Sequence, residues 1–266
     1  MAQAVIDEKN AAFWNELCGT GLARSLGIES ATPENLKKFD AAYHEIYPYL
    51  AGYVTREPLA GKRVLEIGLG WGTLSQLLAE QGCEYHGLDL APNAVAMVNF
   101  RLSLLDKPQT ARIGSVLEMP FEPASFDYVY TIGCLHHTGD LPRAVDAVHG
   151  VLRPGGKAVA MLYNRDSFRR RVEIPLKALK ARVRAGAAAV RAIYDSNAGG
   201  EAAPHTDFTS RRGVRTLFRR FSSRSIDVHN FDGLTVPVLG VTIPRRALLS
   251  NIARWAGLDL YIVARK

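Results

Sequence analysis

The sequence predicts an α/β fold in which helices flank a mostly parallel β-sheet. Through residues 58–163, short runs of β-branched and apolar residues alternate with helical patterns, which is typical of a sheet built from strand–helix–strand units. The 266 residues suffice for one large domain with extensions, and a content of 47% hydrophobic and 22% charged residues is ordinary for a globular protein. No apolar run approaches the roughly 18–20 residues of a membrane-spanning helix, so we expect no transmembrane segment.

Residues 1–57 are predicted to form an N-terminal helical cap. Apolar and aromatic residues recur there at steps of three and four, which places them on one helix face. Thr32 followed by Pro33 predicts a helix start, because threonine caps a helix well and proline suits its first position. The apolar residues of this second helix are Leu36, Phe39, Tyr43, Ile46, Tyr47 and Leu50.

Residues 58–163 are predicted to be the core, in which strands and helices alternate. The strands are expected at 63–67, 85–89, 111–113, 126–132 and 158–162, with helices over 73–81, 94–105 and 142–151.

Residues 164–222 are predicted to be a basic helical insertion, and residues 223–266 to complete the sheet. The insertion is expected to contain one long helix from Pro175 to about Tyr194 and another from about Thr209. Two late strands are expected at 225–228 and 258–264, and the last is expected at an edge of the sheet.

The net charge of +7 comes from the insertion. Residues 165–224 contain 15 Lys and Arg against 5 Asp and Glu, whereas the rest of the chain contains 18 against 21. Three interpretations stay open: a solvated helical surface, a helix that faces a membrane surface, and nucleic-acid binding. As a cap over a substrate, the segment would also suit an anionic acceptor such as a carboxylate or a phosphate.

The cysteines and the first residues predict a cytoplasmic location and no metal site. Cys18, Cys83 and Cys134 are far apart in sequence, so they match neither a disulfide framework nor a metal-ligand spacing. The first nine residues carry acids where a signal peptide would carry bases.

A glycine-rich turn and an acid predict a site for a nucleoside-containing cofactor. Gly68, Gly70 and Gly72 follow the first predicted strand directly and precede a helix, so a ligand can approach the backbone closely. Asp89 ends the next strand, where a carboxylate accepts hydrogen bonds from ribose hydroxyls. The turn by itself is equally consistent with a plain tight turn, but its combination with Asp89 favours the cofactor.

Two details distinguish S-adenosylmethionine from a dinucleotide. The spacing is Gly-x-Gly-x-Gly, whereas the dinucleotide fingerprint is Gly-x-Gly-x-x-Gly. Glu66 lies two residues before the first glycine, where a carboxylate would repel a pyrophosphate and attract a cationic ligand. Both details favour S-adenosylmethionine.

Five motifs in order then resemble those of the class I S-adenosylmethionine-dependent methyltransferases, across about residues 58–163. They are VLEIGLGWG at 64–72, GLDL at 87–90, MPF with SFD at 119–127, LHHT at 135–138 and LRPGGK at 152–157. The resemblance implies a Rossmann-like seven-stranded sheet with an antiparallel last strand. It would use 225–232 and 258–264 as the sixth and seventh strands, with the insertion between the fifth and sixth.

The resemblance also implies S-adenosylmethionine as cofactor, with S-adenosylhomocysteine as product. The family usually has an acid, which accepts from the adenine amino group, where this chain has Ser115. The Ser115 hydroxyl could still form a hydrogen bond there, and the N–H of Val116 could donate to the ring. The implied cofactor-binding residues are Glu66, Gly68, Leu69, Gly70, Gly72, Asp89, Leu90, Ser115, Val116, Ile132 and Gly133.

Histidines and tyrosines near the strand ends are the candidate catalytic and substrate residues. An imidazole of His136 or His137 could remove a proton from the acceptor, although either residue could equally pack or cap. Tyr43 and Tyr47 could close as a lid over the pocket or simply pack, and Tyr163 follows the fifth strand. Trp14 is interpreted as an anchor for that lid.

These features together predict a methyltransferase that acts on a small molecule at an oxygen, nitrogen or carbon atom, with an anionic or lipophilic acceptor as in secondary metabolism. The residues flanking the core, 1–57 and 164–222, would cap the acceptor. Two alternatives stay open: an RNA methyltransferase that uses the arginine-rich segment, and a cofactor-binding protein without activity. Contact with a membrane surface also stays open, and the sequence does not fix an oligomeric state.

Overall fold

A seven-stranded sheet forms the centre of the protein, as seen in a computed structural model that describes residues 3–16, 21–180, 182, 186–236, 241–249 and 251–266. The strands are β1 (Arg63–Ile67), β2 (Glu84–Asp89), β3 (Ala111–Ile113), β4 (Phe126–Ile132), β5 (Leu152–Tyr163), β6 (Ser223–His229) and β9 (Asp259–Arg265). Their order is β3-β2-β1-β4-β5-β9-β6. Neighbouring strands are parallel from β3 through β5, whereas β9 is antiparallel to both of its neighbours.

Helices precede, separate and follow the strands. They are α1 (Gln3–Trp14), α2 (Gly21–Ser25), α3 (Pro33–Ile46), α4 (Leu50–Val54), α5 (Thr73–Glu80), α6 (Pro92–Leu104), α7 (Leu141–Val151), α8 (Ile174–Lys180), α9 (Ala187–Tyr194), α10 (Arg211–Leu217), α11 (Arg245–Leu249) and α12 (Ala253–Ala256). A hairpin of β7 (Leu234–Val236) and β8 (Val241–Ile243) lies between β6 and α11. The predicted start of α3 is confirmed, because Thr32 Oγ1 accepts from the N–H of Asn35 at 3.2 Å.

The predicted fold class is confirmed, with one correction at the end of the sheet. β9 is an interior strand between β5 and β6, so its expected place at the edge is wrong. Burial explains the order: most residues of β9 are buried, whereas the first three residues of β6 are exposed. The more polar strand therefore takes the edge, and it ends at His229 rather than at residue 232.

The insertion also differs from its prediction. A single helix from Pro175 to Tyr194 is wrong, because α8 ends at Lys180 and α9 begins after Gly186, which has an extended backbone. Val183 and Arg184, on the predicted helix, lie outside the described residues. The hairpin β7–β8 and the short helices α11 and α12 were not predicted, because their apolar residues are too few to show a period.

Helices cover both faces of the sheet. Residues of α3 to α6 pack in one buried apolar cluster with Tyr130, Val159 and Tyr261 of the sheet. Residues of α7 and α10 pack in a second cluster against the opposite face. No helix among the described residues has the length and the apolar composition needed to cross a bilayer.

The buried side chain of Arg101 on α6 connects α3 to the glycine-rich turn. The Arg101 side chain is 1% exposed. Its Nε donates to the Trp71 carbonyl at 2.6 Å, and its Nη1 and Nη2 donate to the Asp40 carboxylate at 2.8 and 2.9 Å. A buried guanidinium is stable only when it is paired and hydrogen-bonded in this way, so these contacts fix three segments relative to one another.

We expect Arg101→Met to lower the free energy of unfolding by about 3–5 kcal/mol, because it leaves the Asp40 carboxylate without its charge partner. Urea denaturation followed by circular dichroism measures the loss. The control is the double variant Arg101→Met, Asp40→Asn, which should recover part of the stability because no unpaired charge remains. A loss below about 1 kcal/mol in the single variant would show that the pair contributes little.

Candidate functional site

A cavity of about 260 Å³ lies at the carboxyl ends of β1, β2, β4 and β5. This edge is where ligands bind in open α/β sheets, because loops diverge there and leave a crevice. Every predicted site residue except His136 lines the cavity. Those that line it are Tyr43, Tyr47, Glu66, Gly68, Leu69, Gly70, Gly72, Asp89, Leu90, Ser115, Val116, Ile132, Gly133, His137 and Tyr163.

The glycine-rich turn forms a cradle with a left-handed backbone at all three glycines. Gly68, Gly70 and Gly72 have φ angles of +82°, +52° and +77°, in the left-handed region. A Cβ on Gly68 would lie 2.3 Å from the Cβ of Cys134, whereas one on Gly70 would meet no atom within 4 Å. The turn is therefore packed against protein at Gly68 and open at Gly70, which fits a ligand lying against the backbone at Gly70.

Asp89 joins the ends of β1 and β2. Its Oδ2 accepts from the N–H of Leu69 at 2.7 Å, and its Oδ1 accepts from the N–H of Ala91 at 2.8 Å. Burial raises the pKa of Asp89, although backbone N–H groups that bond the charged form oppose that shift. Each oxygen keeps lone pairs for ribose hydroxyls, so the predicted role fits the geometry.

Glu66 lines the cavity from β1 but is almost completely buried. Its Oε2 accepts from Ser75 Oγ and from the hydroxyl of Tyr85, both at 2.6 Å. Burial outweighs these bonds and raises the pKa of Glu66 to about 8. The carboxyl group is therefore protonated at neutral pH until a positive charge comes near it.

The first helix supplies cavity residues that the sequence did not reveal. Asp7 and Asn10 of α1 line the cavity, and Asp7 Oδ2 accepts from Ser115 Oγ at 3.0 Å. Asn10 Nδ2 donates to the carbonyl of His137 at 2.7 Å. Trp14, interpreted as an anchor, also lines the cavity, with its ring centroid 4.8 Å from that of His137. No local motif marks these residues, because they contact partners more than 100 positions away.

His137 lines the cavity and has one buried ring nitrogen without a hydrogen-bond partner among the described residues. Its Nδ1 lies 2.8 Å from the carbonyl of His205, which can only accept, so Nδ1 carries the hydrogen. Its Nε2 therefore carries a lone pair, and it is 3.7 Å from Oδ2 of Asp195. Among the described residues, no hydrogen-bond donor reaches either Nε2 or that Oδ2. Burial lowers the pKa of His137, although the Asp195 carboxylate opposes this shift.

Asp195 follows α9 in the insertion and was missed in the sequence. Its Oδ1 accepts from the hydroxyl of Tyr163 at 3.1 Å, whereas its buried Oδ2 has no hydrogen-bond partner among the described residues. A single acid after a helix gives no sequence signal, and only the folded insertion brings it to the strand ends.

His136 is fully buried behind the cavity. Its ring lies 4.2 Å from the ring of His137 and 4.1 Å from that of Tyr163, measured between centroids. The structure therefore separates the two predicted catalytic candidates, because His137 lines the cavity and His136 does not.

No lysine or arginine is found among the described residues that line the cavity. Several basic residues of the insertion pair with acids elsewhere, such as Arg169 with Asp232 and Arg220 with Asp146. The insertion therefore contributes no arginine to the described lining of the cavity, where a cap for an anionic acceptor would need one. Cys83 and Cys134 are free thiols, Cys18 lies outside the described residues, and the described residues contain no cluster suited to a metal ion.

Comparisons with known sequences identify the central segment. The methyltransferase domain family matches residues 65–160. A ubiquinone biosynthesis O-methyltransferase from Xylella fastidiosa is 34% identical over 124 residues, which cover 46% of this chain and 50% of that protein. One from Idiomarina loihiensis is 31% identical over 158 residues, covering 52% and 63%. The chain thus spans about half the length of the curated relatives it matches.

Solved structures share the fold across nearly the whole chain. A geranyl diphosphate C-methyltransferase from Streptomyces coelicolor superposes with a TM-score of 0.56 at 16% identity, covering 98% of this chain and 97% of that one. A phosphoethanolamine N-methyltransferase from Haemonchus contortus, in complex with S-adenosylmethionine, gives a TM-score of 0.57 at 16% identity, covering 97% and 60%. At such low identity the likeness shows the fold alone.

We expect Asp89→Ala to weaken S-adenosylhomocysteine binding by more than tenfold, because it removes the acceptors for the ribose hydroxyls and the tie to Leu69. Isothermal titration calorimetry measures the dissociation constant. Asp106→Ala, which changes an acid on the turn after α6, is the matched control and should bind as the wild type does. Unchanged affinity in Asp89→Ala would exclude the ribose role.

We expect the wild type to lose stability relative to Glu66→Gln as the pH rises from about 4.5 to 8 in the absence of cofactor. The folded protein keeps this carboxyl protonated up to a pKa of about 8, whereas the unfolded chain ionises it near 4.5, so rising pH favours unfolding. The difference should grow by at most about 1.4 kcal/mol per pH unit and then level off. Urea denaturation at several pH values tests this, and a constant difference would mean that Glu66 stays ionised in the fold.

Proposed function

We propose that this chain, whose residues 65–160 are a class I S-adenosylmethionine-dependent methyltransferase domain, transfers a methyl group to a hydroxyl group of a small molecule. One observation carries the proposal: His137 lines the same cavity as the predicted cofactor-binding residues, and its buried Nε2 has no hydrogen-bond partner among the described residues. The O-methyltransferase names of the sequence relatives support oxygen as the methylated atom.

The cradle and Asp89 would hold the cofactor. When bound, S-adenosylmethionine supplies an electrophilic methyl group on a sulfonium, and the chain's own residues orient the acceptor. The open backbone at Gly70 and the half-buried carboxylate of Asp89 fit its nucleoside end. Glu66 is the buried acid suited to pair with the positive charge of the cofactor. A nearby cation lowers the pKa of such a carboxyl group and so restores its ionised form.

His137 would act as the general base. A hydroxyl oxygen becomes a strong nucleophile only as its proton leaves, and a positioned imidazole typically contributes 10²–10⁴-fold in rate by accepting that proton. The hydrogen bond from Nδ1 to the His205 carbonyl fixes the tautomer in which Nε2 can accept. Asp195 would then stabilise the imidazolium, because its carboxylate lies 3.7 Å from the newly protonated Nε2.

The acceptor's surroundings favour a small, ring-containing molecule. Trp14, Tyr43, Tyr47 and Tyr163 all line the cavity, and the centroids of Tyr43 and Tyr47 are 4.7 Å apart. Such rings stack well on a planar acceptor and give little to a phosphate backbone. We therefore assign the flanking residues 1–57 and 164–222 as the acceptor cap, with residues 58–163 and 223–266 as the cofactor-binding core.

We expect His137→Gln to lower kcat by at least 100-fold while S-adenosylhomocysteine binding changes less than twofold. The assay follows label from [methyl-³H]-S-adenosylmethionine into a library of hydroxylated aromatic compounds, with bulk tRNA in parallel. The matched control is His44→Gln, a histidine of α3 outside the cavity. In the wild type kcat should fall in acid with a midpoint below 6.5, because burial lowers the pKa of His137.

Two results would contradict the proposal. Label transfer to tRNA with a steep loss of binding at higher salt would instead establish an RNA methyltransferase. A wild type that binds no S-adenosylhomocysteine would exclude a methyltransferase altogether.

A further inference from the structure

We propose that Asp7 of the N-terminal helix α1 recognises the 6-amino group of the cofactor's adenine. The inference rests on the proposed function only in requiring that S-adenosylmethionine or its product binds in the cavity. It assigns part of the adenine site to a segment outside the matched domain at residues 65–160.

The position of the site follows from the strands. Asp89 ends β2 and Leu90 follows it, and Gly114 and Ser115 follow β3, the parallel neighbour of β2. All four residues line the same cavity. A nucleoside whose ribose is bound by Asp89 therefore places its base beside Leu90 and the turn at Gly114 and Ser115.

Adenine presents a hydrogen-bond donor in its 6-amino group and acceptors in its ring nitrogens. Ser115 does not supply a free acceptor of the strength that an amino group calls for. Its hydroxyl hydrogen is directed to Asp7 Oδ2 at 3.0 Å, while its oxygen already accepts from the N–H of Leu117 at 3.3 Å. The serine is thus a link between the turn and the helix.

Asp7 supplies the free hydrogen-bond acceptor that Ser115 lacks. A carboxylate only accepts, with about four lone-pair positions on its two oxygens. Gln3 Nε2 occupies one position on Oδ1 at 2.7 Å, and Ser115 Oγ occupies one on Oδ2. The side chain lines the cavity with acceptor capacity left over, and it contacts Ser115 directly.

The alignment of α1 keeps this carboxylate in place. Gln3 Nε2 also donates to the carbonyl of Thr138 at 2.8 Å, and Asn10 Nδ2 donates to that of His137 at 2.7 Å. These bonds lie one turn before and one turn after Asp7, so they fix the helix on both sides of it. The contact with the base then needs no movement of the core.

The test compares S-adenosylhomocysteine with its 6-desamino analogue, in which a hydrogen replaces only the 6-amino group. Calorimetry on the full chain should show that the wild type prefers S-adenosylhomocysteine by at least tenfold, as expected for one hydrogen bond to a charged acceptor. Asp7→Ala should lose about tenfold in affinity for S-adenosylhomocysteine and keep its affinity for the analogue. The preference, not the absolute affinity, is the decisive quantity.

Asn10→Ala is the matched control, because it loosens α1 without touching Ser115. It should change both affinities by the same factor and leave the preference intact. The inference is overturned if the wild type binds both ligands equally, if Asp7→Ala keeps the preference, or if Asn10→Ala abolishes it as well. A wild type that binds neither ligand would overturn the proposed function instead, so the two failures are distinguishable.

Discussion

The buried guanidinium of Arg101 is the interaction on which the geometry of the site depends. It hydrogen-bonds the glycine-rich turn through the carbonyl of Trp71 and α3 through Asp40, and Thr73 Oγ1 reaches the same carboxylate at 2.5 Å. The backbone of the cradle and the helix that carries Tyr43 are therefore held by one planar, rigid group. Gly72 is part of the same arrangement, since a Cβ there would lie 2.8 Å from Cδ of Arg101.

The core strands and the residues of the cavity on the first two strand ends were predictable because their signals are local. Strand, glycine-rich turn and helix are adjacent in sequence, and Asp89 lies at a fixed position after the next strand. The helix α1 and Asp195 gave no such signal, because their roles arise from contacts with residues far along the chain. The order of β9 and β6 was predicted wrongly from the terminal position of β9, although the greater polarity of β6 was visible in the sequence and marks it as the edge strand.

The distribution of charge separates the cavity from the rest of the insertion. Acidic groups such as Glu66, Asp89 and Asp195 face the cavity, whereas arginines such as Arg169 and Arg220 pair with acids elsewhere. An interior with acids and aromatic rings suits a cofactor that carries positive charge. The paired arginines and the cavity lining are thus separate sets of residues, although the same segment of chain contributes to both.

The helix α1 contacts both ends of the cavity, near Ser115 through Asp7 and near His137 through Asn10 and Trp14. Because a single helix contacts both ends, a rigid-body displacement of α1 would change the lining of the two ends together. The N-terminal helix thus couples the shape of one end of the cavity to that of the other.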